Sequence, residues 1–95
     1  MFFVTKTWSY GPELVVEILS PSSYRRDRLE KMEAYRRAGI PHYWILNPNQ
    51  RTLEVYSLND GNYARVAAGW DDDIVAIPGL PELEIDLSKL WFEIK

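Results

Sequence analysis

Two apolar runs, Leu14-Val15-Val16-Glu17-Ile18-Leu19 and His42-Tyr43-Trp44-Ile45-Leu46, flank a segment of helical period, and this restricts the fold more than any other feature of the chain. Both runs are short and rich in β-branched or aromatic residues, as buried strands are. Ser20-Pro21-Ser22-Ser23 breaks the first run. Ser22 or Ser23 can cap the following helix, because a hydroxyl accepts from the unpaired N–H groups of a first turn. From Tyr24 to Ala38, the residues Tyr24, Leu29, Met32, Tyr35 and Ala38 share one broad face, while Arg26, Glu30, Glu33 and Arg37 point elsewhere. Gly39 ends the helix and Pro41 follows, a common stop arrangement. A strand, a helix and a second apolar strand in that order predict a right-handed β-α-β crossover. The expected class is α/β: a mixed β-sheet with one main helix packed on it.

The remaining segments add strands. Phe2 to Thr7 reads as a strand and Ser9-Tyr10-Gly11-Pro12 as a turn. Asn47-Pro48-Asn49-Gln50 is a second turn, after which Thr52 to Leu58 alternates as a strand with one wetter face. Asn59-Asp60-Gly61-Asn62 has hairpin-turn chemistry and leads into Tyr63 to Ala68. Short extended pieces follow around Ile74 to Ile77 and Leu83 to Ile85. Leu87 to Ile94 is expected to form a terminal helical turn that packs Leu90, Trp91 and Ile94 on the sheet. Trp44, Trp70 and Trp91 read as core residues. Ninety-five residues make a single domain, 1–95. Cysteine is absent, which excludes disulfides, thiolate metal sites and cysteine nucleophiles and fits a reducing cytoplasm. No apolar run approaches the roughly 18–20 residues that span a bilayer.

Glu17 is the anomaly in the first run. Ionising a carboxylate among aliphatic neighbours costs several kcal/mol unless a partner offsets it. An edge position facing water, a core ion pair and a metal-binding carboxylate all satisfy that requirement. As a strand residue it shares a face with Val15 and Leu19, near the carboxyl end, where sites of α/β sheets gather. Lys31 lies at the margin of the helix's apolar face, so a helix returning over the sheet brings it towards Glu17. An Asp27–Lys31 surface pair is the simpler alternative. The net charge of −3 argues against coating nucleic acid by charge alone, although Arg25, Arg26, Arg28, Lys31, Arg36 and Arg37 concentrate on the helix. Most of those cations read as a solvated face. His42, the single histidine, reads as a strand-start residue, and Asp71-Asp72-Asp73 as a solvated turn. Ser20 and Ser22 lack the glycines of a nucleophile elbow, and there is no Gly-rich phosphate loop.

The string Pro12-Glu13-Leu14-Val15-Val16-Glu17-Ile18-Leu19-Ser20-Pro21-Ser22-Ser23 continues through Arg26-Asp27, Lys31, Tyr35 and Gly39-Ile40-Pro41 to Tyr43-Trp44-Ile45-Leu46-Asn47-Pro48. With Thr52-Leu53-Glu54-Val55-Tyr56 and Pro78-Gly79-Leu80, it resembles the Uma-type restriction endonucleases, a bacterial family of the PD-(D/E)XK nuclease superfamily. The resemblance implies a restriction-endonuclease-like core and cleavage of DNA phosphodiester bonds with Mg²⁺ or Mn²⁺. It makes Glu17 the metal-binding glutamate, with the Ile18 carbonyl as a further ligand. Leu19 occupies the place where many superfamily members carry a lysine, and the resemblance assigns that role, orienting the attacking water, to Lys31. In the family a metal-binding aspartate precedes a Phe-Val strand end. Phe2-Phe3-Val4 resembles that end, so the aspartate would lie before Met1 and the chain would be an N-terminally truncated domain holding its metal weakly. The alternative is a non-catalytic remnant that binds nucleic acid or forms a homodimer or higher oligomer through an exposed sheet edge.

Overall fold

Strand pairing realises the β-α-β unit and extends it on both sides. The structure, a computed structural model, describes residues 6–10, 13–19 and 25–91. Strand β1 (Lys6–Tyr10) is antiparallel to β2 (Leu14–Ile18). Helix α1 (Arg25–Arg37) then returns the chain to β3 (His42–Asn47), which runs parallel to β2. Antiparallel strands β4 (Thr52–Asn59) and β5 (Asn62–Trp70) complete a five-stranded sheet of order β1-β2-β3-β4-β5. Strands β6 (Ile74–Ile77) and β7 (Leu80–Asp86) form a separate antiparallel pair, followed by a 3₁₀ turn at Leu87–Lys89.

Two of these ends have a local cause. Gly39 (φ 74°) lets α1 stop in a left-handed turn, where the Gly39 N–H reaches the Arg36 carbonyl and the Ile40 N–H that of Tyr35. In the β4–β5 loop Asp60 and Gly61 both have positive φ (51° and 79°), the geometry whose twist matches that of a hairpin. Ser9 and Tyr10 do not turn as the sequence suggests. They remain in β1, opposite Val15 and Leu14, because the ladder gives their backbone groups partners. Phe2 to Thr5, the capping serines, Tyr24 and Ile94 lie outside the described residues.

The sheet has a core on each face. On one side Val15, Leu19, Tyr43 and Ile45 are buried beneath Met32 and Tyr35 of α1. On the other, Val16, Ile18, Leu46, Leu53 and Val55 pack against Val75, Ile77, Leu87 and Trp91, so the β6–β7 pair forms a third layer. The residue pattern predicts only short extended pieces there, and packing over the sheet makes them a layer. It approaches closely because residue 69 is glycine: a Cβ there would run into Val75 Cγ2 and crowd Leu87. The helix also sits differently from its apolar pattern. Leu29 is 57% exposed, and the inward stripe is Arg28, Lys31, Met32 and Tyr35, at i, i+3, i+4 and i+7.

One register shift controls what the sheet presents to α1. Val55 pairs with Ala67 but Tyr56 pairs with Arg65, leaving Val66 as an extra residue in β5. Ala67 therefore faces the β6–β7 layer, whereas Arg65 and Tyr63 are turned to the helix side. Tyr63 uses that position to donate from its hydroxyl to the Ile40 carbonyl at 2.6 Å, tying β5 to the helix exit.

Two outcomes follow from these contacts. Gly69→Ala is expected to lower unfolding stability by about 1–3 kcal/mol, the usual range for overpacking, measured by urea titration. In the last turns of α1, the hydrogen bond from Arg36, then its charge and the Arg37 guanidinium, hold Glu33 down to about 2 against an ordinary 4.5. Its folded pKa lies below its unfolded one, so its contribution is present above pH 4.5 and is lost as the pH falls towards 2. Glu33→Gln should therefore flatten the stability–pH curve in that window.

Candidate active site

Glu17 is 1% exposed, the deepest charged residue among those described. Period-two alternation turns it to the α1 side of β2, between Val15 and Leu19. Its carboxylate is met from above by two side chains of α1. Lys31 Nζ lies 3.6 Å from Oε2, and the Tyr35 hydroxyl donates to Oε1 at 3.2 Å. Lys31 and Tyr35 are four residues apart, so one helical face delivers both. Ile18, one peptide further, sends its side chain into the opposite core. Thus Glu17 and Lys31 stand together, with the Ile18 peptide adjoining them.

The surroundings are aromatic and largely closed to water. The Tyr43 ring lies 5.1 Å from Tyr35 in an edge-on arrangement, 6.1 Å from Tyr56 and 5.6 Å from Tyr63. Burial, reinforced by the charge of Glu17, pushes the Tyr43 hydroxyl well above its ordinary pKa, so it stays protonated. Beyond this aromatic wall lies a second charged group. Glu54 of β4 receives the Tyr56 hydroxyl at 2.9 Å and pairs with Arg65 at 3.3 Å and Arg28 at 3.5 Å. Arg28 Nε is buried and, among the described residues, has no acceptor.

The residues matched by sequence are those of a known family. The Uma2 family, described as putative restriction endonucleases, matches residues 6–88. The chain belongs to that family. Its fold is similar to that of a crystal structure described as a putative nuclease belonging to DUF820 from Anabaena variabilis, with 20% identity and a TM-score of 0.61. The similarity covers 86% of this chain and 45% of the other, so the chain spans about half the length of that neighbour. At such identity the likeness shows the fold alone, an α/β arrangement. No curated protein matches the chain.

Uma2 membership raises the question of a divalent cation. The Glu17 carboxylate is a hard oxygen donor, and Mg²⁺ is commonly held by only one or two carboxylates together with waters and substrate phosphate. In chemical type the residue fits. Among the described residues no three histidine or acidic side chains gather into a metal-binding group, so Glu17 and the neighbouring peptide would form one side of a coordination sphere. The three aspartates at 71–73 are not such a group. Asp73 accepts from the Trp70 N–H at 3.0 Å and Asp71 pairs with Arg51 at 3.2 Å, as residues of a turn do. His42 is exposed at the start of β3.

Sequence reasoning missed Tyr35 as a donor to Glu17, although its spacing from Lys31 was a usable signal. It also missed the Arg28–Glu54–Arg65 group, which depends on the bulge at Val66. Trp91 is buried and its indole N–H donates to the Asp71 carbonyl at 2.7 Å, but Trp70 is 65% exposed and is not core.

A buried ion pair is strained more by losing one partner than by losing both. Lys31→Met is expected to lower stability by about 1–3 kcal/mol, at the low end because Lys31 is partly solvated. The double change Glu17→Leu with Lys31→Met should recover most of it. Non-additivity in a urea double-mutant cycle is the measurement, and strictly additive losses would show that the two groups do not interact.

Proposed function

We propose that this chain carries the metal-binding and water-orienting part of a nuclease site that hydrolyses DNA phosphodiester bonds with Mg²⁺ or Mn²⁺. The observation that supports this most is the convergence of Glu17 and Lys31 at the carboxyl end of β2, in a domain of the Uma2 family. In this reading Glu17 and the Ile18 carbonyl would hold the cation, with waters and substrate phosphate supplying further oxygen donors. A divalent ion there would acidify its water and offset charge on the leaving oxygen.

The chain's own residues then have distinct tasks. The Tyr35 hydroxyl fixes one oxygen of Glu17, which sets the orientation of the carboxylate. Lys31 is one-third exposed at the rim while Glu17 is buried, so its ammonium can serve the carboxylate and a phosphate or water entering from solvent. The aliphatic neighbours Val15, Leu19 and Ile45 limit competing water and strengthen each of these electrostatic contacts.

The test is nicking of supercoiled plasmid with Mg²⁺ or Mn²⁺. Chelation should abolish it, and Glu17→Gln or Lys31→Gln should reduce the rate roughly 100-fold or more, the effect of removing one group that stabilises the transition state. Equal residual cleavage by the wild type and Glu17→Gln would assign the activity to a contaminant and sink the reading.

A second reading, assembly through the sheet, has its own observation. Strand β1 has a paired neighbour on one side only among the described residues. An open apolar concavity of about 340 Å³, lined by Leu14, Val16, Trp44 and Leu83 among others, lies on the face away from α1. Homodimer formation there predicts a concentration-dependent mass by light scattering, whereas a clean monomer rejects it.

A further inference from the structure

Trp70 is the feature outside the Glu17–Lys31 pair that most needs an explanation. An indole that stays 65% exposed forgoes the apolar burial that usually justifies a tryptophan. It lines an open concavity of about 470 Å³, together with Gln50, Thr52, Glu54, Arg65 and Asp73. Strand register places this depression relative to Glu17. Trp70 pairs with Thr52 and Ala68 with Glu54, while Glu54 pairs with Ile45 and Ile45 with Glu17. Directly paired residues share a face, so Thr52, Glu54 and Trp70 lie on the same side of the sheet as Glu17, while Leu53 and Gly69, which also line the concavity, belong to the opposite face. Its near wall, Glu54, is two strands away, roughly 10 Å at the usual strand spacing. Arg65 reaches it only because the bulge at Val66 turns that side chain over.

The lining chemistry selects a class of ligand. Glu54 already balances Arg65 and Arg28, and Asp73 adds a second carboxylate, so the concavity has no positive excess to attract a bare phosphate. A flat aromatic face beside carboxylate and amide groups suits a nucleobase. Its ring would stack on Trp70, an exocyclic amino group would find an acid, and Arg65 would lie near the attached phosphate. We propose that this concavity is a subsite for one unpaired nucleobase of the strand being cut, with a preference for bases bearing an exocyclic amino group. The assignment rests on the nuclease reading for its substrate. It requires an unpaired base because in a duplex both faces of each base are already stacked.

The test is a titration without divalent metal, so that nothing is cut. Tryptophan emission is followed while oligodeoxycytidine of about ten nucleotides, the matching oligothymidylate or a blunt duplex is added. Oligodeoxycytidine should quench saturably, oligothymidylate should bind several-fold more weakly, and the blunt duplex should not quench. Trp70→Phe should remove the quench, and Trp70→Ala should weaken oligodeoxycytidine binding roughly fivefold or more by anisotropy. Glu17→Gln should leave the quench intact. Quenching that persists in Trp70→Phe, or that a blunt duplex matches, overturns the subsite, and equal binding of the two homopolymers overturns the amino-group preference. If quenching holds while plasmid nicking fails, the base site stands and the nuclease reading falls. Nicking that depends on Glu17 without any quench gives the reverse result.

Discussion

Burying the Glu17 carboxylate obliges the rest of the helix-side layer to take its form. A carboxylate 1% exposed among Val15, Leu19 and Ile45 requires polar partners, and α1 provides them with Lys31 and Tyr35 on adjacent turns. That demand explains why the inward stripe of the helix carries Arg28 and Lys31 while Leu29 faces solvent. Apolar burial alone would rotate the helix to hide Leu29. The ion pair and the tyrosine hydrogen bond rotate it the other way. Such a pair adds little net stability compared with a hydrophobic substitute.

The two faces of the sheet divide the work. The side covered by β6–β7 is apolar, with Val16, Ile18, Leu46, Leu53 and Val55 packed against Val75, Ile77, Leu87 and Trp91. It supplies most of the cohesion. The helix side carries a row of polar groups, from Glu17 past the tyrosine cluster to Glu54 and its two arginines, and ends at the exposed Trp70. A single extra residue, Val66, lets one strand serve both faces, turning Ala67 to the apolar layer and Arg65 to the polar one. The sheet thus holds a continuous track of charged and aromatic groups over an apolar base.

Much of the fold was legible in the residue string, and the reasons are local. Leu14–Ile18 and His42–Asn47 are strands because they are short, β-branched or aromatic and bounded by breakers. The helix stops at Gly39 because only a left-handed residue closes that turn, and Asp60-Gly61 forms the predicted hairpin for a similar reason. Where the reading departed from the structure, long-range contacts were responsible. Tyr10 stays in its strand because Leu14 pairs with it, and Trp70 is exposed because register points it away from the β6–β7 layer. The β6–β7 layer itself was invisible as such, since four residues around Ile74 to Ile77 acquire their role only by packing over Gly69.

By itself the sequence determined the β-α-β unit, the side of β2 on which Glu17 lies and the family to which the chain belongs. Each depends on residue type and spacing within one or two neighbouring elements. Tertiary structure alone decided that Tyr35 holds Glu17, that Leu29 yields the inner face to Arg28 and Lys31, and that Arg65 and Trp70 share one concavity. Those outcomes turn on helix rotation and on a one-residue register shift. Both are set by the summed contacts of several strands, and no short stretch of the chain encodes them.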